Sequence, residues 1–184
     1  TALLIKRSDP TAKIIFIGPC ASKKLEYKMP RDMGVIDSVM SFEELQAFGD
    51  ARGIDTTAME DTELDNASFY GRIFAKSGGI AQGIQEVGAT MGVTNVVPLA
   101  MNGIQECKAG LMRLKLGRAK ENFFEDMACE GGCINGALCI THGPENLVDV
   151  DKYGNEAKEK TIDNSIKLYK MSIKEQQEQE GQEK

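Results

Sequence analysis

Two cysteines four positions apart, with paired glycines between them, carry the most informative chemistry in the chain: Met127-Ala128-Cys129-Glu130-Gly131-Gly132-Cys133-Ile134-Asn135-Gly136. Glycines let a backbone turn tightly round a bulky anion while its N–H groups point at sulfur. Thiolates that receive such hydrogen bonds are what an iron–sulfur cluster uses. The stretch also reads as a glycine-rich turn with two unrelated buried thiols, because a free cysteine packs as a small hydrophobe. A second stretch, Gly18-Pro19-Cys20-Ala21-Ser22-Lys23-Lys24-Leu25-Glu26, sets a cysteine within one turn of two lysines and a glutamate. A nearby ammonium lowers a thiol's pKa and stabilises a bound anion; the plainer reading is a helix N-terminus with solvated lysines. The five cysteines are an odd number, so any disulfide scheme leaves one thiol over. In a reducing cytoplasm, clustered cysteines are more often ligands or catalytic groups than bridges.

These residues need elements to position them. Lys13-Ile14-Ile15-Phe16-Ile17-Gly18 is a β-branched and aromatic run closed by Gly-Pro, which predicts a strand buried on both faces that ends at Cys20. Ile36 to Met40 is a second strand, and Ser41 with Glu44 forms a capping box for a helix through about Arg52, stopped by Gly53. Asp55 to Asn66 is acidic and aperiodic, a surface loop. Ser77-Gly78-Gly79 opens a helix that ends around Gly88. Val93 to Ala100 is an apolar run broken by Pro98, and Gly103 to Leu116 is helical with Ile104, Leu111 and Leu114 near one stripe. Phe123 to Ala128 is a last strand that delivers the chain into Cys129. The alternation predicts an α/β fold, a parallel-sheet lobe with helices on both faces and ligands at the carboxyl ends of the strands. The lobe is expected over residues 1–150, a C-terminal helix packed on it over 151–174, with amphipathic character from Glu156 to Lys174, and a disordered acidic tail over 175–184.

At 184 residues the chain has room for one ordinary domain with an apolar core. Charged residues make up 27% and the net charge is -6, the profile of a soluble protein that does not bind nucleic acid, since phosphates attract clustered lysine and arginine. No apolar stretch reaches the roughly 20 residues that span a bilayer, and no secretion signal opens the chain, so the expected location is the cytoplasm, with no membrane partner. The chain starts at Thr1 without an initiating Met, as a piece excised from a longer protein would; processing gives the same start.

The two cysteine stretches together resemble the second and third signature motifs of iron-only ([FeFe]) hydrogenases, Pro-Cys-x-x-Lys-x-x-Glu and Met-Ala-Cys-x-x-Gly-Cys. Between them, Asp37-Ser38-Val39-Met40-Ser41-Phe42-Glu43-Glu44-Leu45 and Gly71-Arg72-Ile73-Phe74-Ala75-Lys76-Ser77-Gly78-Gly79 are similar to two further stretches of that family, so the resemblance spans about Lys13 to Gly136. It implies that Cys20, Cys129 and Cys133 are ligands of the [4Fe–4S] part of a hydrogen-activating cluster, with Cys133 bridging to a two-iron unit. It implies that Lys23 binds a cyanide of that unit, that Glu26 belongs to a proton path, and that Met127 packs beside the cluster, with Ser77 and Gly78 as further cofactor contacts. The implied activity is the interconversion of protons and hydrogen gas, with electrons from a carrier such as ferredoxin.

This sequence departs from the family in three places. The first motif, Thr-Ser-Cys-Cys-Pro, which supplies the fourth ligand, is absent, so the N-terminal remainder of a parent protein is an expected partner and the chain alone is expected to be inactive. Gly18 stands where the family usually has Met, and the third motif ends in Gly136-Ala137-Leu138-Cys139. Both changes suit a hydrogen-sensing or non-catalytic iron–sulfur relative, the alternative reading. Cys139 reads as a substitute fourth ligand or as an ordinary thiol, Cys107 as core, and His142 as a surface residue in a turn.

Overall fold

The computed structural model describes residues 1–62 and 67–167. The described residues divide into two compact units, one of residues 1–61 and 133–143 and the other of those within 62–132 and 144–167. Length alone suggests one domain.

The first unit opens with helix α1 (Ala2–Ser8), followed by strand β1 (Ile15–Ile17) and the short helix α2 (Lys23–Glu26). Strand β2 (Ser38–Met40) pairs with β1 in parallel, Phe16 opposite Val39, and leads directly into helix α3 (Phe42–Ala51). The expected capping box is present: the Glu44 N–H donates to Ser41 Oγ at 3.1 Å, and the Ser41 N–H donates to Glu44 Oε2 at 2.8 Å. Gly53, at φ +67, follows the helix end as expected. Asp37 fixes the start of the sheet, accepting from the Ile14 N–H at 2.8 Å, from Lys6 at 3.0 Å and from Lys13 at 3.2 Å. One expectation fails here. Ile15, Phe16 and Ile17 are 51, 38 and 42% exposed, so β1 is not buried on both faces. Among its described residues, this unit buries only Gly18, Ser41, Gly136 and Cys139, none of them a large apolar side chain.

The second unit holds the apolar core. Helix α4 (Phe69–Ile73) precedes helix α5 (Gly79–Thr90), strand β3 (Pro98–Asn102), helix α6 (Ile104–Lys115), strand β4 (Phe123–Met127) and helix α7 (Glu145–Asn155). Strands β3 and β4 run parallel, Leu99 opposite Phe124 and Asn102 opposite Met127. Pro98 does not interrupt a strand; it begins one, where its missing N–H costs no ladder bond. Ile73, Met101, Ala81 and Ala157 are buried, with Ile73 fully enclosed. Ile73 packs against the backbone of Gly154, where an added Cβ would lie 2.7 Å from its Cγ2. Gly110 receives Met101 in the same way, with Sδ 2.0 Å from where a Cβ would stand. The stripe expected on α6 is half-exposed: Ile104, Leu111 and Leu114 are not core.

The expected α/β architecture of parallel strands and helices is present, one strand pair in each unit. The C-terminal helix differs from its expected span. It starts at Glu145, stops at Asn155, and helical backbone resumes only over 162–167. The break falls where Ala157 is buried and the Glu159 carbonyl accepts the Phe69 N–H at 2.9 Å, so tertiary contacts replace a continuous helix. The expected acidic tail and the rest of that helix lie outside the described residues.

Candidate metal centre

In the second unit, β4 carries the chain to Cys129, and the turn after it is held from three sides. The Gly132 N–H donates to the Cys129 carbonyl at 3.0 Å, the Gly131 N–H donates to Asn102 Oδ1 at 2.6 Å, and the Gly131 carbonyl accepts the Ser77 N–H at 3.0 Å. Gly131 and Gly132 are both left-handed, at φ +86 and +96. A Cβ on Gly132 would stand 2.5 Å from the Ser77 nitrogen and 2.6 Å from the Ala75 carbonyl oxygen. Only glycine satisfies both demands. Met127, immediately upstream, is buried, and its carbonyl lies 3.6 Å from the Cys107 thiol. Burial, with the Asp126 carboxylate beside it, pushes the Cys107 thiol up from its ordinary pKa, so Cys107 is a poor thiolate.

Ser77 and Gly78 therefore do not point free backbone N–H groups outward. Ser77 donates to the cysteine turn, and the Gly78 N–H donates to Glu125 Oε1 at 2.8 Å. Glu125, which sequence reasoning passed over, is only 4% exposed and also accepts the Ala81 N–H at 2.7 Å. The charged pair Glu125-Asp126 inside an otherwise apolar strand was the one available signal.

In the first unit, the segment before Cys20 packs on the turn that begins at Cys133. The Pro19 carbonyl accepts the Leu138 N–H at 3.0 Å, and a Cβ on Gly136 would lie 2.4 Å from that same oxygen. Cys20 is half-buried and Cys133 is exposed. Cys139 is buried, and its thiol lies 3.4 Å from the Cys133 carbonyl and 3.2 Å from that of Ile134, the ordinary-thiol reading of its environment. His142 is exposed, with Nε2 2.9 Å from the Gly136 carbonyl oxygen.

Lys23 and Glu26 line a cleft of about 120 Å³ with Phe16, Tyr27 and Asp32. The Lys23 ammonium donates to Glu26 Oε2 at 2.5 Å, and Arg31, also unforeseen, pairs with Glu26 Oε1. The hydrogen bond from Lys23, aided by the charges of Lys23 and Arg31, holds the Glu26 carboxyl below its usual range. Lys24 turns away to Glu44, at 2.5 Å. The room beside Gly18 is taken by Phe16, whose ring edge lies 2.8 Å from where a Cβ would stand.

The first unit brings the segments of Cys20 and Cys133 together, and Cys129 belongs to the second. None of the five cysteines is in a disulfide. Among the described residues, no three Cys, His, Asp or Glu side chains gather tightly enough to hold a single metal ion. A cluster several ångströms across spreads its ligands more widely than an ion does, and the donor set is thiols flanked by glycine turns. By type, thiols are the donors that an iron–sulfur group uses.

Comparison with known proteins places these observations. The family described as the iron only hydrogenase large subunit, C-terminal domain, matches residues 1–137. The periplasmic [Fe] hydrogenase large subunit of Nitratidesulfovibrio vulgaris (strain Hildenborough) is 26% identical over 157 residues, 66% of this chain and 37% of that protein. A solved [FeFe]-hydrogenase, from work on oxygen inactivation through its H cluster, superposes with a TM-score of 0.60 at 13% identity, covering 91% of this chain and 59% of the other. A variant of the [FeFe]-hydrogenase HydA1 of Chlamydomonas reinhardtii gives 0.56 at 14% identity, covering 87% and 57%. The chain thus spans less than two thirds of each of these relatives. Among the described residues no helix is long and apolar enough to cross a membrane. The match over most of the length, which includes Cys20, Cys129 and Cys133, shows that the chain belongs to the family of C-terminal domains of iron-only hydrogenase large subunits.

Proposed function

We propose that Cys20, Cys129 and Cys133 supply three thiolates to a [4Fe–4S] cluster linked to a two-iron unit, in a complete protein that interconverts protons and hydrogen gas. The observation that carries this reading is the seating of the Pro19-Cys20 segment on the turn that opens at Cys133, through the Leu138 N–H and the bare face of Gly136. When bound, the group would store electrons and supply the iron chemistry for hydrogen. The chain's own residues do the rest. Lys23 would present a cation to an anionic ligand of the group in place of Glu26, and Arg31 would then hold Glu26 in position. Glu26 carries protons once Lys23 has turned away, because the contact that most depresses its pKa is gone. Met127 covers the Cys129 side with an apolar, polarizable side chain.

The fourth ligand comes from the remainder of the parent protein, and the half-exposed apolar strand β1 supports a covering segment from the same source. Electrons come from a small iron–sulfur carrier of the ferredoxin class. The cytoplasm is the proposed location; the Nitratidesulfovibrio relative is named as periplasmic, and fractionation of the source cells decides. The activity is tested by hydrogen evolution from reduced methyl viologen in the complete protein. Lys23→Ala is expected to lose more than about tenfold, as for a lost charge-assisted hydrogen bond, while Lys24→Ala retains the rate. Equal rates in both variants would reject the assignment.

A further inference from the structure

Every buried carboxylate must be explained by what it bonds to, because an unpaired buried charge is costly. Among the described residues Glu125 is the only buried acid, and it sits on β4 four positions before Cys129. Its two oxygens accept the N–H groups of Gly78 and Ala81, at the start of α5. That helix has no cap of its own, since its N-cap residue is Gly78, left-handed at φ +84. Glu125 supplies both the missing acceptor and the negative charge that a helix N-terminus favours.

The bonds then form a closed ring. From Glu125 they pass to Gly78, along the chain to Ser77, from Ser77 to the Gly131 carbonyl, and through Gly132 back to the carbonyl of Cys129. The ring closes along β4 to Glu125. Asn102, opposite Met127 at the end of β3, holds the remaining Gly131 N–H at 2.6 Å.

The geometry points to Glu125 and Asn102 as positioning residues for the Cys129 thiolate. Glu125 fixes the platform of residues 75–78 on which the Cys129 turn rests. Asn102 keeps the Gly131 N–H turned toward itself; with a cluster held by Cys129, that N–H would be withheld from sulfur, which would keep the reduction potential lower than a hydrogen bond to sulfur would. This rests on the reading that Cys129 is a ligand, and the test separates the two.

Glu125→Gln keeps the shape but offers one acceptor where two are needed, and removes the charge. Asn102→Ala sits on an exposed residue and leaves the core untouched. In chains without metal, hydrogen exchange is expected to accelerate by roughly tenfold or more at Gly78 or Ala81 in Glu125→Gln, and at Gly131 in Asn102→Ala, the size expected for a lost hydrogen bond. In chains reconstituted with ferrous iron and sulfide, both variants are expected to change the electron paramagnetic resonance g-values, and Asn102→Ala to raise the reduction potential. Unchanged exchange at those amides overturns the inference, whether or not a cluster forms. So does a reconstituted cluster with the same g-values and potential in all three proteins, an outcome that leaves the ligand assignment standing. Loss of the cluster in Cys20→Ser but not in Cys129→Ser would instead remove the ligand and the inference with it.

Discussion

Replacing Gly132 with alanine tests the cysteine turn where it is tightest. Two costs add. At φ +96 a Cβ is strained by about 1–2 kcal/mol. That Cβ would also stand 2.5 Å from the Ser77 nitrogen, 2.6 Å from the Ala75 oxygen and 2.8 Å from the Lys76 carbonyl carbon, all backbone atoms that no rotamer change can move. Overpacking of this kind costs about 1–3 kcal/mol, so the sum is about 2–5 kcal/mol. Gly92→Ala, in the same unit, isolates the first cost, because its φ is +75 and nothing lies within 4 Å of its added Cβ. Native-state hydrogen exchange under low urea reads both, with amides of α3 in the other unit as internal reference. Protection of α5 and β4 is expected to fall further in Gly132→Ala than in Gly92→Ala, with α3 unaffected. If Gly132→Ala is no worse than Gly92→Ala, the turn does not rest on the 75–77 backbone as described.

The remaining predictions concern the scaffold. Ile73→Ala, at a fully buried site, is expected to destabilise the second unit by about 2–5 kcal/mol in urea titration. Ser41→Ala removes one half of the capping box and should lower the protection of the first turn of α3 by about 1 kcal/mol. Asp37 gives the first unit an acid limit. Its pKa in the folded chain lies well below the usual carboxylate range, chiefly through the Ile14 N–H and then Lys6 and Lys13, so its contribution is complete above the unfolded value near 3.8 and fades as pH falls below it. Chemical shifts of β1 followed through acid titration should show that loss, and Asp37→Asn should show it already at neutral pH.

The sequence was legible where local rules and motifs coincided. The capping box at Ser41, the strand into Cys129 and the helix after Gly78 all follow from residues adjacent in the chain, and they set the path of the cysteine segments. What was not legible depended on partners distant in the chain. The apolar run at Ile15 to Ile17 looks buried by composition, yet in the first unit only small residues are buried. Ile104, Leu111 and Leu114 gave a helical period, yet each stays about half exposed. Glu125 and Asn102 were missed because their roles lie in accepting N–H groups from residues 29 to 47 positions away. The backbone N–H groups of Ser77 and Gly78 go to Gly131 and Glu125, which no spacing rule could show.

Iron content per chain after anaerobic reconstitution, measured across five single Cys→Ser variants, bears most directly on the ligand set. Cys20→Ser, Cys129→Ser and Cys133→Ser should each lose the bound iron and its visible absorption, and Cys107→Ser and Cys139→Ser should keep the level of the parent chain. Retention in any of the first three, or loss in Cys139→Ser, would contradict the account.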